Sequence, residues 1–204
     1  GSSILMDDAK QNAEFPLEEN GSSENIDLYR CPMKMLRSKT SMSGFTVDLL
    51  VSQKRGVQPS MTEFYNILRT SKGYGLEGND RTYSLALLPE ISLGRTTVRK
   101  KLADNALLRR AMNITSEIAQ MEQFYPSLKG NIPPLVDIRK KLISDGYNMD
   151  QLLSTRGWWT FDNHKQEVPF LSSMDMVDIY NGNYTPYWLE ADKRTIRKEF
   201  TPGK

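Results

Sequence analysis

Aromatic and basic residues carry most of the recognisable chemistry in this sequence. Trp158-Trp159 with Phe161, and the pair Phe124-Tyr125, are its aromatic concentrations. Such rings stack flat bases, and a methylated, cationic base adds an attraction of about 0.5–2 kcal/mol. The same residue types also serve as ordinary core and corner packing. Between 95 and 110 stand six bases, Arg95, Arg99, Lys100, Lys101, Arg109 and Arg110, against the single acid Asp104. Three readings of that run stay open. It is an amphipathic helix with a solvated basic face, a strip that steers phosphate, or the recognition helix of a helix-turn-helix regulator, which would need a scaffold helix before it. Gly73, Gly75 and Gly78 spell G-x-G-x-x-G, but they follow a helical pattern and precede a strand. A dinucleotide loop requires the reverse order, so a plain turn-rich loop is expected.

Hydrolytic and metal chemistry find little to work with. The chain holds one His and one Cys, His164 and Cys31, so a zinc site built from those ligands is excluded, and no Ser/His/Asp or Cys/His pairing can be argued. His164 lies in the polar run Asp162-Asn163-His164-Lys165 and reads as solvated. The single cysteine also excludes an internal disulfide and fits a reducing compartment. No cofactor, metal or catalytic residue is expected, and the chain reads as a binding domain rather than an enzyme. No apolar run approaches the roughly 18–20 residues of a membrane helix.

The elements that must position these residues follow from composition and period. The 204 residues, 38% apolar and 25% charged with net charge +2, suit one domain with tails. Gly1-Ser2-Ser3 reads as a cloning remnant, and residues 1–25 as an acidic, loosely held arm; residues 1–29 hold seven acids against Lys10. Residues 26–40 form an entry segment, 41–182 the domain, and 183–204 an exit linker. Phe45, Val47, Leu49 and Val51 alternate as a half-buried strand. Ser60-Met61-Thr62-Glu63 has capping-box spacing ahead of a helix with Phe64, Ile67 and Leu68. Tyr83, Leu85 and Leu87 predict a second strand stopped by Pro89. Helices are expected over 95–112, over 115–124, after Pro133-Pro134 with Gly146 as its terminator, and over 149–155. The apolar run Met174 to Tyr180 predicts a late strand closed by Asn181-Gly182-Asn183. The layout is α+β, an antiparallel sheet packed against a cluster of helices.

The order of local motifs resembles the cap-binding region of the second basic subunit of the influenza-type (orthomyxovirus) RNA polymerase, as a distant, thogotovirus-like branch. Ile26-Asp27-Leu28, Met33-Lys34-Met35-Leu36-Arg37-Ser38 and Ser43-Gly44-Phe45-Thr46-Val47 resemble its entry segment, helix end and first strand. Gly94-Arg95-Thr96-Thr97-Val98-Arg99-Lys100-Lys101 resembles its turn into the first long helix, and Glu117-Ile118-Ala119-Gln120 a run of the second. Asn131-Ile132-Pro133 resembles the entry to the third. Met174-Asp175-Met176-Val177-Asp178-Ile179, Thr185-Pro186 and Ile196-Arg197 resemble the final strand and exit. The likeness spans roughly 26–198, and collinearity carries it.

That resemblance implies binding of the 7-methylguanosine cap of host mRNA, between two aromatic rings with a Glu and a Lys on the base edge. Another subunit would then cut the capped primer for viral transcription. By position, Phe124, with Tyr125 beside it, resembles the helix-end ring, Glu90 the carboxylate and Lys100 the lysine. Arg95, Arg99, Lys101, Arg109 and Arg110 become candidates for phosphate or RNA contact. The implied partners are the catalytic basic and acidic polymerase subunits, viral RNA and capped host mRNA, in the host nucleus and the virion. The sequence departs from the pattern in three places. Leu87 or Leu88 stands where the strand ring is expected, Ser41 and Met42 replace two phenylalanines, and the stretch 125–132 is too short for a covering loop. The alternative is therefore the same fold with cap recognition lost, acting as a structural or interaction module.

Overall fold

The computed structural model describes residues 3–4, 6–7, 12–16, 27–36, 44–69, 74–79, 81–125, 127–128, 130–158 and 168–200. The architecture is α+β. In chain order the elements are β1 (Ser3–Ile4), β2 (Met6–Asp7), β3 (Asn12–Ala13), β4 (Leu28–Lys34), β5 (Thr46–Ser52), β6 (Gly56–Val57) and α1 (Pro59–Arg69). There follow β7 (Leu76–Asn79), β8 (Thr82–Leu85), β9 (Leu88–Gly94), α2 (Val98–Asp104), α3 (Ala106–Phe124), α4 (Leu135–Ser144), α5 (Met149–Leu153), α6 (Ser173–Asn181) and a 3-10 turn, Lys198–Phe200. Among the described residues these strands pair antiparallel: β1-β4-β5-β6 form one sheet, β7-β8-β9 a second, and β2-β3 a two-stranded third.

The helix α3 is the axis of the core. Leu108, Ala111, Met112, Ile114 and Ile118 are fully buried on it. Around it pack α1, α2, α5, α6 and the β8-β9 pair. Between Leu108 and Ala119 nearly every residue of the helix is buried, Arg110, Asn113, Thr115 and Ser116 among them, so its polar side chains must find partners inside.

Several sequence expectations change. The helix expected over 95–112 is two helices, broken at Asn105, and the one expected over 115–124 is the continuation of the second. Asn105 adopts extended φ and ψ, its backbone N–H closing α2 on the Lys101 carbonyl while its side chain accepts from Leu108 N at 2.9 Å. A single Asn thus ends one helix and caps the next. Pro89 does not stop the second strand. Ala86-Leu87 forms the turn, and Pro89 is the second residue of β9. Among the described residues β9 pairs only with β8, so it is an edge strand, where a missing N–H is tolerated.

The expected late strand is a helix. In α6 the Ser172 side chain accepts from Asp175 N, the Asp175 carboxylate accepts from Ser172 N, and Gly182 at φ +76° terminates the helix. Its buried residues Ser173, Met176, Val177 and Ile179 follow helical rather than alternate spacing. A continuous apolar run cannot choose between the two periods, and the cap decides. The capping-box spacing at Ser60 is different again. There α1 begins at Pro59, and the Glu63 carboxylate turns to Asn113 on α3.

Both tails contribute to the core. Phe15, expected in a loose arm, is buried edge-on against Phe64 (5.8 Å) and Tyr65 (6.5 Å). At the other end, in the stretch expected to be linker, Trp188 and Leu189 are buried. The glycine loop has a packing reason. A Cβ on Gly75, at φ +67°, would lie 2.6 Å from Thr115 and 2.7 Å from Leu135. Gly73 lies outside the described residues.

Candidate functional site

The six bases of 95–110 do not form a strip. Arg99 is buried and paired with Asp27, Nη1 to Oδ1 at 2.6 Å, and also reaches the Phe15 carbonyl at 3.3 Å. Burial raises the Asp27 carboxyl, but hydrogen bonds donated by Arg99 and by Ser52 outweigh it and hold it below its usual value. Arg95 donates to the Ala13 and Glu14 carbonyls, fastening the amino-terminal segment. Arg109 caps the carboxyl end of α2 through the Leu102 and Ala103 carbonyls, at 2.9 and 2.7 Å. Lys101 reaches back to the Ser92 carbonyl at 2.6 Å. Arg110 is buried, donating to Asn113 and to the Leu171 carbonyl. Lys100 alone of the six is exposed.

Those contacts bear on two of the readings of the basic run. A phosphate-steering surface needs solvent-facing cations, and five of these six serve internal acceptors. A recognition helix needs a scaffold helix before it, whereas α2 follows β9 and turns its Arg99 inward. For Arg95 and Arg99 the reason is the amino-terminal segment, which supplies the Ala13, Glu14 and Phe15 carbonyls and Asp27 where these side chains would otherwise meet water, a neighbour that local spacing does not reveal.

The three cap-site candidates part company as well. Glu90 lies in β9, exposed, with Oε1 accepting from Arg139 Nη2 of α4 at 2.5 Å. Lys100 is on the outer face of α2. Phe124 ends α3, and there it finds a ring. Phe45, just before β5, stacks on it with centroids 4.3 Å apart and planes at 25°. Both rings are half-buried. Their offset parallel contact is the geometry in which two ring quadrupoles attract.

Beside this pair lies a shallow cleft between β5, α1 and α3, open to solvent and enclosing room for about one water molecule. Thr46, Val47, Asn66, Ile67, Ser116, Gln120, Gln123 and Phe124 line it. Asn66 is fixed by its own bonds, donating to the Asp48 and Thr62 carbonyls and accepting from Asp48 N. Gln120 donates to Ser116 Oγ at 2.9 Å. The floor is thus held by its own hydrogen bonds, uncharged and amide-rich, with the Phe124 ring at one end.

Phe45 was legible only as a strand residue. Its partnership with Phe124 joins positions 79 apart in sequence, through the hairpin in which Gly44 N bonds the Met35 carbonyl and Met35 N the Phe45 carbonyl. The other aromatic concentration is partly described. Trp158 is 71% exposed, edge-on to Phe170 at 4.7 Å, and Arg156 sits over the other ring at 5.3 Å. Trp159, Phe161 and His164 lie outside the described residues. Among the described residues there is no cluster of three or more His, Cys, Asp or Glu that could hold a metal, and no helix long and apolar enough to cross a membrane. No protein-family model, curated protein or solved structure matches this chain.

Proposed function

We propose that this chain is the cap-binding-like domain of a divergent orthomyxovirus-type polymerase basic subunit, a non-catalytic binding module serving cap-dependent transcription. The observation that carries the reading is the Phe45–Phe124 pair at the lip of an amide-lined cleft. Phe124 occupies the position that the resemblance gives to the helix-end ring. Phe45, from the Gly-Phe-Thr-Val motif, supplies the second ring that the strand position lacks. The rings close on each other, so a base entering between them must part them by about its own thickness. Stacking on both faces then repays the separation, at about 1–3 kcal/mol per base. The proposed partners are the catalytic basic and acidic subunits, viral RNA and capped host mRNA, in the host nucleus and the virion.

A second reading has its own observation. Glu90 is paired with Arg139 and five of the six bases are engaged internally, which leaves few charged groups for a base edge or a triphosphate. On that reading the module keeps the fold and contacts other subunits or RNA without taking a cap. Calorimetric titration with 7-methyl-GTP and with GTP separates the two. Saturable, methyl-selective binding that disappears in Phe124→Ala and in Phe45→Ala supports the cap reader. Selective binding that survives both substitutions removes the ring pair from the site. No heat from either nucleotide at millimolar concentration leaves the interaction module.

A further inference from the structure

A polar cluster lies between α1 and α3, one helical turn from the cleft. The Asn113 amide donates to Glu63 Oε1 of α1 at 2.8 Å and to Glu117 Oε1 of α3 at 3.3 Å. The second oxygen of Glu117 accepts from the buried Ser173 hydroxyl at the start of α6. Arg110, 4% exposed, donates to the Asn113 side-chain oxygen and to the Leu171 carbonyl. Because Arg110 occupies that oxygen, the amide orientation is fixed and its NH₂ faces the two acids. A Cβ on Gly157 would lie 2.5 Å from Arg110 Nη1, so the guanidinium is walled in on that side too.

One buried guanidinium therefore faces two carboxyl groups. The cluster is neutral with one proton on the pair and carries a net negative charge without it, and an uncompensated charge in an interior is costly. Charges on the surrounding elements are committed elsewhere. Asp48 of β5 pairs with Arg30 at 3.8 Å, Arg99 of α2 with Asp27, Asp175 of α6 with its own helix cap, and Arg69 at the end of α1 with Glu14.

We propose that Glu63 and Glu117 form a proton-operated latch between α1 and α3 that sets the width of the cleft one turn further along. Residues three or four apart share a helix face. Asn66 and Ile67 therefore continue the Glu63 face, while Ser116 and Gln120 continue the faces of Asn113 and Glu117, and all four line the cleft. With a proton on the pair the two carboxyls no longer repel, and the Asn113 amide holds both helices at hydrogen-bond distance. Without it, two like charges push α1 from α3, and the cleft walls follow. Burial, with Glu117 adding to it and the Asn113 hydrogen bond opposing, pushes the Glu63 carboxyl up to about 7, so the change falls near neutrality. The consequence for ligand binding rests on the cleft being the ligand site, whereas the latch itself is read with no nucleotide present.

The test is an NMR titration of the full chain, labelled at isoleucine and valine methyls, from about pH 5.5 to about pH 8.5. The Ile67 and Val47 methyls are expected to move together with a midpoint of about 7. In Glu63→Gln, which mimics the protonated acid, they stay at their low-pH positions throughout. Methyl positions independent of pH, or a titration that persists in Glu63→Gln, overturn the latch. Should that variant fail to fold, Glu117→Gln keeps the test. Removing the like charge moves the midpoint down, and an unchanged midpoint overturns the proposal. A chain that binds no nucleotide still gives either result.

Discussion

Arg99 Nη1 lies 2.6 Å from Asp27 Oδ1, with both side chains buried, so a residue of the basic run on α2 locks the approach to β4. Ser52 Oγ adds a bond of 2.5 Å to the other carboxylate oxygen, from the end of β5. Two segments 72 positions apart are joined by one ion pair. Removing one partner leaves the other charged and enclosed, at a cost of about 3–5 kcal/mol. Arg99→Ala is expected to lose that much in urea denaturation. Retained stability with weakened RNA binding would show Arg99 to be a surface contact instead.

Two carboxyls, Asp27 buried and Glu63 half-buried, give the stability curve opposite slopes. Asp27 is held below its ordinary value of 3.8, so its contribution is present above that value and lost as pH falls through the lower folded one. Glu63 is raised from 4.5 to about 7, so its contribution is complete below the ordinary value and is lost as pH rises to about 7. Chemical denaturation across pH should therefore show stability highest in mild acid. The decline toward neutrality should vanish in Glu63→Gln, and its persistence there would assign it to other groups.

Arg110 and Lys100 predict opposite outcomes for the same kind of change. Burial pulls the Arg110 guanidinium down to about 10, with Glu117 and Glu63 opposing, and it stays charged at neutral pH. Arg110→Ala strands two acids and should destabilise by about 3–5 kcal/mol, whereas the exposed Lys100→Ala should change stability by under about 0.5 kcal/mol. Thermal melts of the two variants check the contrast.

Gly75 should tolerate no side chain. Its φ of +67° already disfavours an L-residue, and an added Cβ would meet Thr115 and Leu135 at 2.6 and 2.7 Å. Strain and overpacking together suggest a loss of about 2–4 kcal/mol for Gly75→Ala. Gly44, at φ +88° with nothing within 4 Å, should lose only the backbone part, about 1–2 kcal/mol. Equal losses in the two variants would mean that the Thr115 and Leu135 side chains yield.

The ring pair can be measured apart from any ligand. A double-mutant cycle of Phe45→Leu and Phe124→Leu should give a coupling of about 0.5–1.5 kcal/mol. Coupling near zero would mean that the rings meet without attracting, and would weaken their reading as a clamp.

Elements were legible wherever a local signal sufficed. The helical spacing of Phe64, Ile67 and Leu68, and Pro133-Pro134 with Gly146 around α4, each state their element within one or two turns of chain. The alternation from Phe45 to Val51 marks the strand β5, but its fully buried residues are Leu50 and Ser52, on the opposite face. The α+β class was legible too. Where two local signals competed, the sequence alone chose badly. The run Met174 to Tyr180 was apolar enough for a strand, and Asp175 in the cap made it a helix. Asn105 broke one expected helix because a single side chain could cap the next. The site depended on neither composition nor period. Phe45 meets Phe124, Glu63 meets Asn113, and Arg99 meets Asp27 only after strands and helices distant in sequence have packed. Spacing determines which face a residue shares with its own element, but the partner on the opposing face, and with it whether a charge meets water or a buried acid, is decided by tertiary packing.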